Sequence, residues 1–233
     1  MTNGKKHYST LLFDLDGVVL DFSKAEEQAF AKTFADYGLP LSDEVIRRYQ
    51  EINRSKWEKY ESGLITKEEC TVGRYEELFT EFRFQADPQA FARDYMDGLG
   101  EGHFLMPHAR EVLEALAPCY ALYVVTNGVS SAAYSRLDGT DSRKYFKQFF
   151  ISEEMGAQKP SMDYFQQVFD AIPGFSREKT LLIGDTLSSD IQGAENAGID
   201  SCWVNVSHSE NLSGPVATYE IDDLRKLLPI LGM

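Results

Sequence analysis

Paired cysteines, surplus basic charge and long apolar runs are all missing from this chain, and each absence closes a class of function. Cys70, Cys119 and Cys202 are odd in number, far apart and without CxxC or Cys/His spacing. Neither a disulfide framework nor a thiolate metal site is expected from them. Unpaired thiols fit a reducing compartment, so the cytoplasm is the expected location. With 23 Lys and Arg against 37 Asp and Glu, the formal net charge is -14. That balance argues against a nucleic-acid polymer or an anionic membrane as partner, since both need a basic face. Any anionic substrate must then be held by local cations. No segment approaches the roughly 20 apolar residues that span a bilayer. The first ten residues are polar, and Leu11 to Phe13 is too short for a signal-peptide core. Internal repeats and low-complexity stretches are also missing.

What remains is a chain of 233 residues, 43% hydrophobic, long enough for one domain or for a core with an attached lobe. Its organising stretch is Leu11-Leu12-Phe13-Asp14-Leu15-Asp16-Gly17. A short apolar run bounded by a turn residue reads as a buried strand, and this one ends in an acidic loop. In extended chain, residues two apart face the same side, so Asp14 and Asp16 can address one spot. Carboxylates so close repel and need a cation or a shared proton between them, unless the turn is simply solvated.

A region without strands follows. Ala29, Phe30, Phe34 and Tyr37 have helical spacing, and Ser42 opens a second helix through Tyr49, Ile52 and Trp57. Thr66 with Glu69 has the form of a capping box before a third helix through Phe82, and Asp87-Pro88 starts a fourth. Residues 20–102 therefore read as a separate helical lobe. The glycines of Gly98-Leu99-Gly100-Glu101-Gly102 read as its return hinge. From Pro107 onward helices alternate with the apolar strands Ala121 to Val125, Phe149 to Ile151, Thr180 to Ile183 and Ser201 to Val204, with a terminal helix from Asp222. Repeated βα units of this kind imply a doubly wound, Rossmann-like parallel sheet covered by helices on both faces, built from 1–19 and 103–233.

In open parallel sheets, ligands bind beyond the carboxyl ends of the strands. Asp14 with Asp16, Thr126 with Asn127, Lys159, and Asp185 with Asp190 all fall at or near such ends. Taken singly, each also reads as an ordinary turn, helix charge or surface lysine; together they can converge on one volume. Asp14, Asp16 and Asp185 offer hard oxygen ligands without His or Cys, a set suited to Mg²⁺ rather than Zn²⁺. Thr126 adds a hydroxyl, the N–H groups of Asn127 and Gly128 precede a helix and can cradle phosphate, and Lys159 adds a point charge. A divalent cation, a lysine and a carboxylate nucleophile suit phosphoryl transfer.

These motifs, in this order, resemble those of the haloacid dehalogenase-like hydrolase superfamily. Asp14 to Gly17 is similar to its first motif, Thr126 to the second, Gln158-Lys159-Pro160 to the third, and Gly184-Asp185 through Asp190 to the fourth. The helical insertion resembles the α-helical cap of one subfamily. The resemblance implies that Asp14 attacks phosphorus and forms an aspartyl-phosphate, while Asp16 protonates the leaving oxygen and then activates water. It implies that Asp14, the Asp16 carbonyl and Asp185 hold Mg²⁺ with Asp190 in support, and that Thr126, Asn127 and Lys159 hold the phosphoryl group. Dehalogenases of the superfamily lack an acid at the place of Asp16, so that reaction is not expected.

Thr126-Asn127-Gly128-Val129, Ile151-Ser152-Glu153-Glu154 and Asn196-Ala197-Gly198-Ile199-Asp200 further resemble a branch of nucleoside 5′-monophosphate phosphatases, some favouring pyrimidines. Val18 departs from it where many members have Thr, and Ala133 with Tyr134 stand where a Gln is expected. The resulting expectation is a Mg²⁺-dependent phosphatase of small phosphorylated metabolites, a 5′-nucleotidase acting as a monomer or homodimer. The alternatives are a phosphoglycolate or sugar-phosphate phosphatase, a phosphosugar mutase, or a phospho-acceptor switch module. Phe22, Tyr49, Trp57 and Tyr60 can stack on a base or form the lobe's own core.

Overall fold

The computed structural model describes residues 7–212 and 214–233, and the chain divides into two compact units. One joins the chain up to Phe22 with His103–Met233; the other is Ser23–Gly102. In chain order the elements are β1 (Thr10–Phe13), α1 (Phe22–Asp36), α2 (Asp43–Glu61), α3 (Lys67–Thr71), α4 (Gly73–Phe82), α5 (Pro88–Gly100), α6 (Ala109–Leu116), β2 (Ala121–Thr126) and α7 (Ser130–Gly139). There follow β3 (Gln148–Ile151), α8 (Ser152–Met155), α9 (Met162–Ala171), β4 (Thr180–Gly184), α10 (Gln192–Ala197), β5 (Asp200–Val204), β6 (Tyr219–Ile221) and α11 (Leu227–Leu231). No described helix is long and apolar enough to cross a membrane.

The six strands form one parallel sheet in the order β3-β2-β1-β4-β5-β6. Successive strand residues turn to opposite faces, and both faces are apolar. Leu11, Phe13, Val124 and Ile183 pack with Val112 and Leu116 of α6 on one side. Leu12, Val125 and Leu182 pack with Phe165, Val168 and Phe169 of α9 on the other. Strand order reverses direction about β1, which lies between β2 and β4, so the crevice at their carboxyl ends is the switch point where ligands bind in such sheets. Register brings the motifs there. Phe13 pairs with Val124 on one side and Ile183 on the other, so Asp14 lies level with Val125 and Gly184.

The inserted unit is held by its aromatics. Phe30 lies 4.2 Å from Tyr49 and Tyr75 4.9 Å from Phe91, centroid to centroid. Tyr49 and Tyr60 are buried, so of the two readings of these rings the core-forming one describes them. Phe22 instead lies near Arg136 in the sheet-bearing unit. Ser42 caps α2 and Thr66 with Glu69 closes a capping box at α3.

Three expectations are corrected. The single helix read from Thr66 to Phe82 breaks at Val72, where β-branched Thr71 and Val72 precede Gly73, all weak helix formers. The Arg74 side chain takes up the Thr71 carbonyl at this break. The expected glycine hinge is helical through Gly100. A Cβ on Gly102 would lie 2.4 Å from the Ala25 methyl, whereas one on Gly98 would make only ordinary contact with Ala29 at 3.5 Å. Gly102, just past α5, therefore serves close approach to α1, and Gly98 is an ordinary helical position. Finally, β6 adds an edge strand that three residues of unremarkable pattern did not announce, and the terminal helix starts after a tight turn capped by Asp223.

Candidate active site

β1 ends in the core, and the next residue, Asp14, is buried; its backbone N–H donates to the Ile183 carbonyl, extending the sheet by one bond. Lys159 enters from the loop before α9 and is almost fully buried. Its ammonium has three protons and three acceptors: Asp14 Oδ1 at 2.9 Å, Asp190 Oδ1 at 2.6 Å and the Val125 carbonyl at 3.0 Å. Burial works against that charge, and the Asp14 and Asp190 carboxylates more than offset it, so the Lys159 pKa lies above the usual lysine range.

Asn127 clamps the backbone of the same loop. Its side-chain amide donates to the Lys159 carbonyl and accepts from the Lys159 N–H, each at 2.9 Å. Asn127 thus holds Lys159 in place through its side chain, a role that its position in a turn did not disclose.

Asp185 follows β4, and Asp190 is carried back toward that strand by a π-helical turn, Leu187–Ile191. Such turns are rare and concentrate at functional sites. Asp190 Oδ2 accepts from the Thr186 N–H and Oδ1 from Lys159, so both its oxygens are engaged by the protein. Asp185 Oδ1 accepts from the Thr186 hydroxyl, and the Trp203 indole donates to the Asp185 carbonyl. Two glycines make room for these acids. A Cβ on Gly17, where φ is +77°, would lie 2.1 Å from Asp185 Oδ2, and one on Gly184 would lie 2.3 Å from the Asp190 carboxyl carbon.

Ligand oxygens of Asp14, Asp185 and Asp190 lie within 4.8 Å of one another. Three acids around one ammonium leave the cluster short of positive charge. Burial pushes Asp14 well above the ordinary carboxylate range, Lys159 pulls against it, and Asp190 and Asp185 push further. Burial, with the Asp190 charge behind it, raises Asp185 to about 7. A hard divalent cation satisfies both observations: it matches an all-oxygen donor set and supplies the missing charge.

Thr126 closes β2, and its Oγ1 accepts from the Gly128 N–H at 3.0 Å, leaving the hydroxyl proton to be donated elsewhere. The phosphate cradle read from sequence is narrower than expected, because the Gly128 N–H is committed to Thr126. The first N–H of α7 is likewise engaged, by Glu153 of α8 at 2.8 Å. Glu154 accepts from the Tyr134 hydroxyl, so the two acids of the Ile151 to Glu154 segment tie α8 to α7.

Asp16 is half-buried, and its Oδ1 pairs with Arg136 of α7 at 2.5 Å. Arg136 was not among the expected site residues. One signal for it was present: Ala132, Ala133, Arg136 and Leu137 share the buried face of α7, and a charge at an apolar helical position needs a partner.

The sequence model of the haloacid dehalogenase-like hydrolase family matches residues 11–204. The HAD-hydrolase YfnB of Bacillus subtilis is 40% identical over 228 residues, 98% of this chain and 97% of that protein. Its magnesium-bound crystal structure superposes with a TM-score of 0.94, covering 98% of this chain and all (100%) of the other. The pyrimidine 5′-nucleotidase PynA of Streptococcus pneumoniae is 36% identical, covering 96% of this chain and 95% of that protein. A 2-haloacid dehalogenase from Pseudomonas syringae shares the fold at a TM-score of 0.67 and 21% identity, covering 96% of this chain and 98% of the other. Across nearly its whole length, then, the chain belongs to the haloacid dehalogenase-like hydrolase family and is a hydrolase of that family.

Proposed function

We propose that the protein is a Mg²⁺-dependent phosphomonoesterase working through an aspartyl-phosphate on Asp14, with nucleoside 5′-monophosphates as its substrates. The observation that carries this reading is the buried ammonium of Lys159 joined to Asp14 and Asp190, with Asp185 close enough to Asp14 to share a cation with it. Asp14, Asp185 and the Asp16 carbonyl would hold Mg²⁺, and Asp190, with both oxygens engaged, supports from behind. Bound there, the cation would offset the repulsion between an anionic nucleophile and an anionic phosphoryl group.

The chain's own groups account for the rest. Lys159 orients Asp14 through Oδ1, and no donor among the described residues reaches Oδ2, which is left to attack phosphorus. Thr126 donates its hydroxyl proton, and Asn127 its backbone N–H, to the phosphoryl oxygens. As the bond from phosphorus to the leaving oxygen breaks, Asp16 gives that oxygen a proton. In the second half Asp16 takes a proton from water while the water oxygen bonds to phosphorus and the Asp14 ester breaks. Asp16 also argues against dehalogenation, for which the superfamily resemblance implies no acid here. The name of the relative PynA supports a nucleotide substrate. In this reading residues 23–102 serve as the substrate-selecting cap, and the enzyme works in the cytoplasm as a monomer or homodimer.

The test is a phosphate-release screen over nucleoside monophosphates, sugar phosphates and phosphoglycolate, with Mg²⁺ and with EDTA. Release is expected to be greatest from a nucleotide and to stop on chelation. Isomerised substrate without free phosphate would make the protein a mutase, and activity surviving thorough chelation would remove the metal.

Gly17→Ala tests the metal assignment separately. Its Cβ would collide with Asp185 Oδ2, and its positive φ costs a non-glycine residue about 1–2 kcal/mol. We expect Mg²⁺ affinity to fall roughly 10–100-fold, the range for loss of a ligand's support, read from Trp203 emission, since that indole bonds the Asp185 carbonyl. Unchanged affinity would take Asp185 out of the ligand set.

A further inference from the structure

The Asp16 carboxylate has two different surroundings. Oδ1 is held by the Arg136 guanidinium. Oδ2 lies toward the turn that follows β2: a Cβ built on Gly128 would sit 3.8 Å from Asp16 Oδ2 and 3.2 Å from Thr126 Oγ1. Gly128 therefore leaves open the space between the second oxygen of Asp16 and the Thr126 hydroxyl. The Asp16 side chain is 33% exposed whereas that of Arg136 is 2% exposed, so the rigid partner in this pair is the arginine. Its place is fixed by the packing of α7, and the guanidinium lies 5.9 Å from the Phe22 ring. A half-exposed aspartate on a loop, without such an anchor, would spread over several side-chain rotamers.

From this geometry we propose that Arg136 is the positioning residue of Asp16: it pins one carboxylate oxygen and thereby aims the other at the phosphoryl site beside Thr126. The inference rests on the phosphatase reading above and adds a residue to it. Arg136 touches neither the phosphoryl group nor the leaving group. It acts through Asp16, which delivers its proton to the leaving oxygen as the phosphorus–oxygen bond breaks, the bonding pair going to that oxygen. A misaimed Asp16 hinders this step in proportion to the leaving group's need for a proton. The 5′-oxygen of a nucleoside is a poor leaving group and needs one; p-nitrophenolate leaves without one.

The experiment compares kcat/KM, which reports the steps through departure of the leaving group, for a nucleoside 5′-monophosphate and for p-nitrophenyl phosphate. The proteins are the full chain with Mg²⁺, as wild type, Arg136→Met and Arg136→Lys. Arg136→Met is expected to lose roughly 10–100-fold on the nucleotide, part of the 10²–10⁴ that general acid catalysis contributes, and less than about threefold on the aryl ester. Arg136→Lys keeps a charge without the planar fork and is expected to recover part of the loss on the nucleotide alone. Melting temperature and the Mg²⁺ response of Trp203 emission report whether fold and metal site survive. Equal losses on both substrates, or no loss on either, would overturn the proposal. Should Arg136→Met not fold, Arg136→Lys decides alone: a smaller split between the substrates supports the proposal, and equal losses reject it. A wild type that cleaves neither substrate removes the phosphatase reading itself, an outcome distinct from failure of the arginine variants against an active wild type.

Discussion

Asp14→Asn is expected to abolish phosphate release, lowering turnover by roughly 10⁴–10⁶, the scale set by removal of a covalent nucleophile elsewhere. An amide has almost the same shape and can still accept from Lys159, but its oxygen does not attack phosphorus usefully. The fold should not suffer. Asp14 is one of two acids bonded to one ammonium, with Asp185 beside them, and its pKa already lies well above the ordinary range from burial and from the Asp190 and Asp185 charges, against the pull of Lys159. A carboxyl raised on folding stabilises the protein below its unfolded pKa, and that contribution is lost as pH rises through the folded value. For Asp185 that window runs from about 4, its unfolded range, up to about 7. Metal-free wild type should therefore melt lower at pH 8 than at pH 5 on account of this cluster. In Asp14→Asn one of the raised carboxyls is gone, so the difference should shrink. Near-normal phosphate release by the variant would refute covalent catalysis, and an unchanged difference in melting would mean that the acids do not share the charge deficit.

The positions that were legible in the sequence are those where a buried strand ends in a residue that does not belong in a core. Asp14 after Leu11 to Phe13, Thr126 after Ala121 to Val125 and Asp185 after Thr180 to Ile183 each break an apolar run. In a parallel sheet such breaks fall on one edge, so local pattern implies long-range convergence. Lys159 was readable only through motif order, since nothing in its own neighbourhood says that it is buried. What pattern could not reach depends on how side chains meet across elements. The pairing of Arg136 with Asp16 needs the rotation of α7 about its axis. The Asn127 clamp needs the path of the loop before α9. Gly102 looked like freedom of the chain and turned out to be contact, because only the packed structure shows Ala25 against it. The π-helical turn that returns Asp190 to Lys159 has no signature in residue type at all.

Lys159→Met should be the most damaging single change to both activity and stability. The substitution roughly conserves length while deleting an ammonium whose three protons are all bonded. Removing one partner of a buried ion pair costs about 3–5 kcal/mol, because the abandoned charges stay buried, and here two carboxylates are abandoned together. Asp14, whose pKa already stands well above the carboxylate range from burial, can escape by taking up a proton, so the loss should be smaller at pH 5 than at pH 8. Mg²⁺ should restore part of the melting temperature at pH 8, since a cation bound to the folded state alone stabilises it by mass action. Activity should not return with it, because the bond that orients Asp14 and the ammonium beside the phosphoryl site are gone. Adding Asp190→Asn removes one of the two orphaned charges, so the double variant should be more stable than Lys159→Met, with a coupling well beyond additivity for residues 2.6 Å apart. Melting curves of wild type, Lys159→Met, Asp190→Asn and the double variant, with and without Mg²⁺ at both pH values, make the comparison. Additive losses independent of pH would mean that Lys159 is held by packing, and that its pairing with Asp14 and Asp190 carries no net stabilisation.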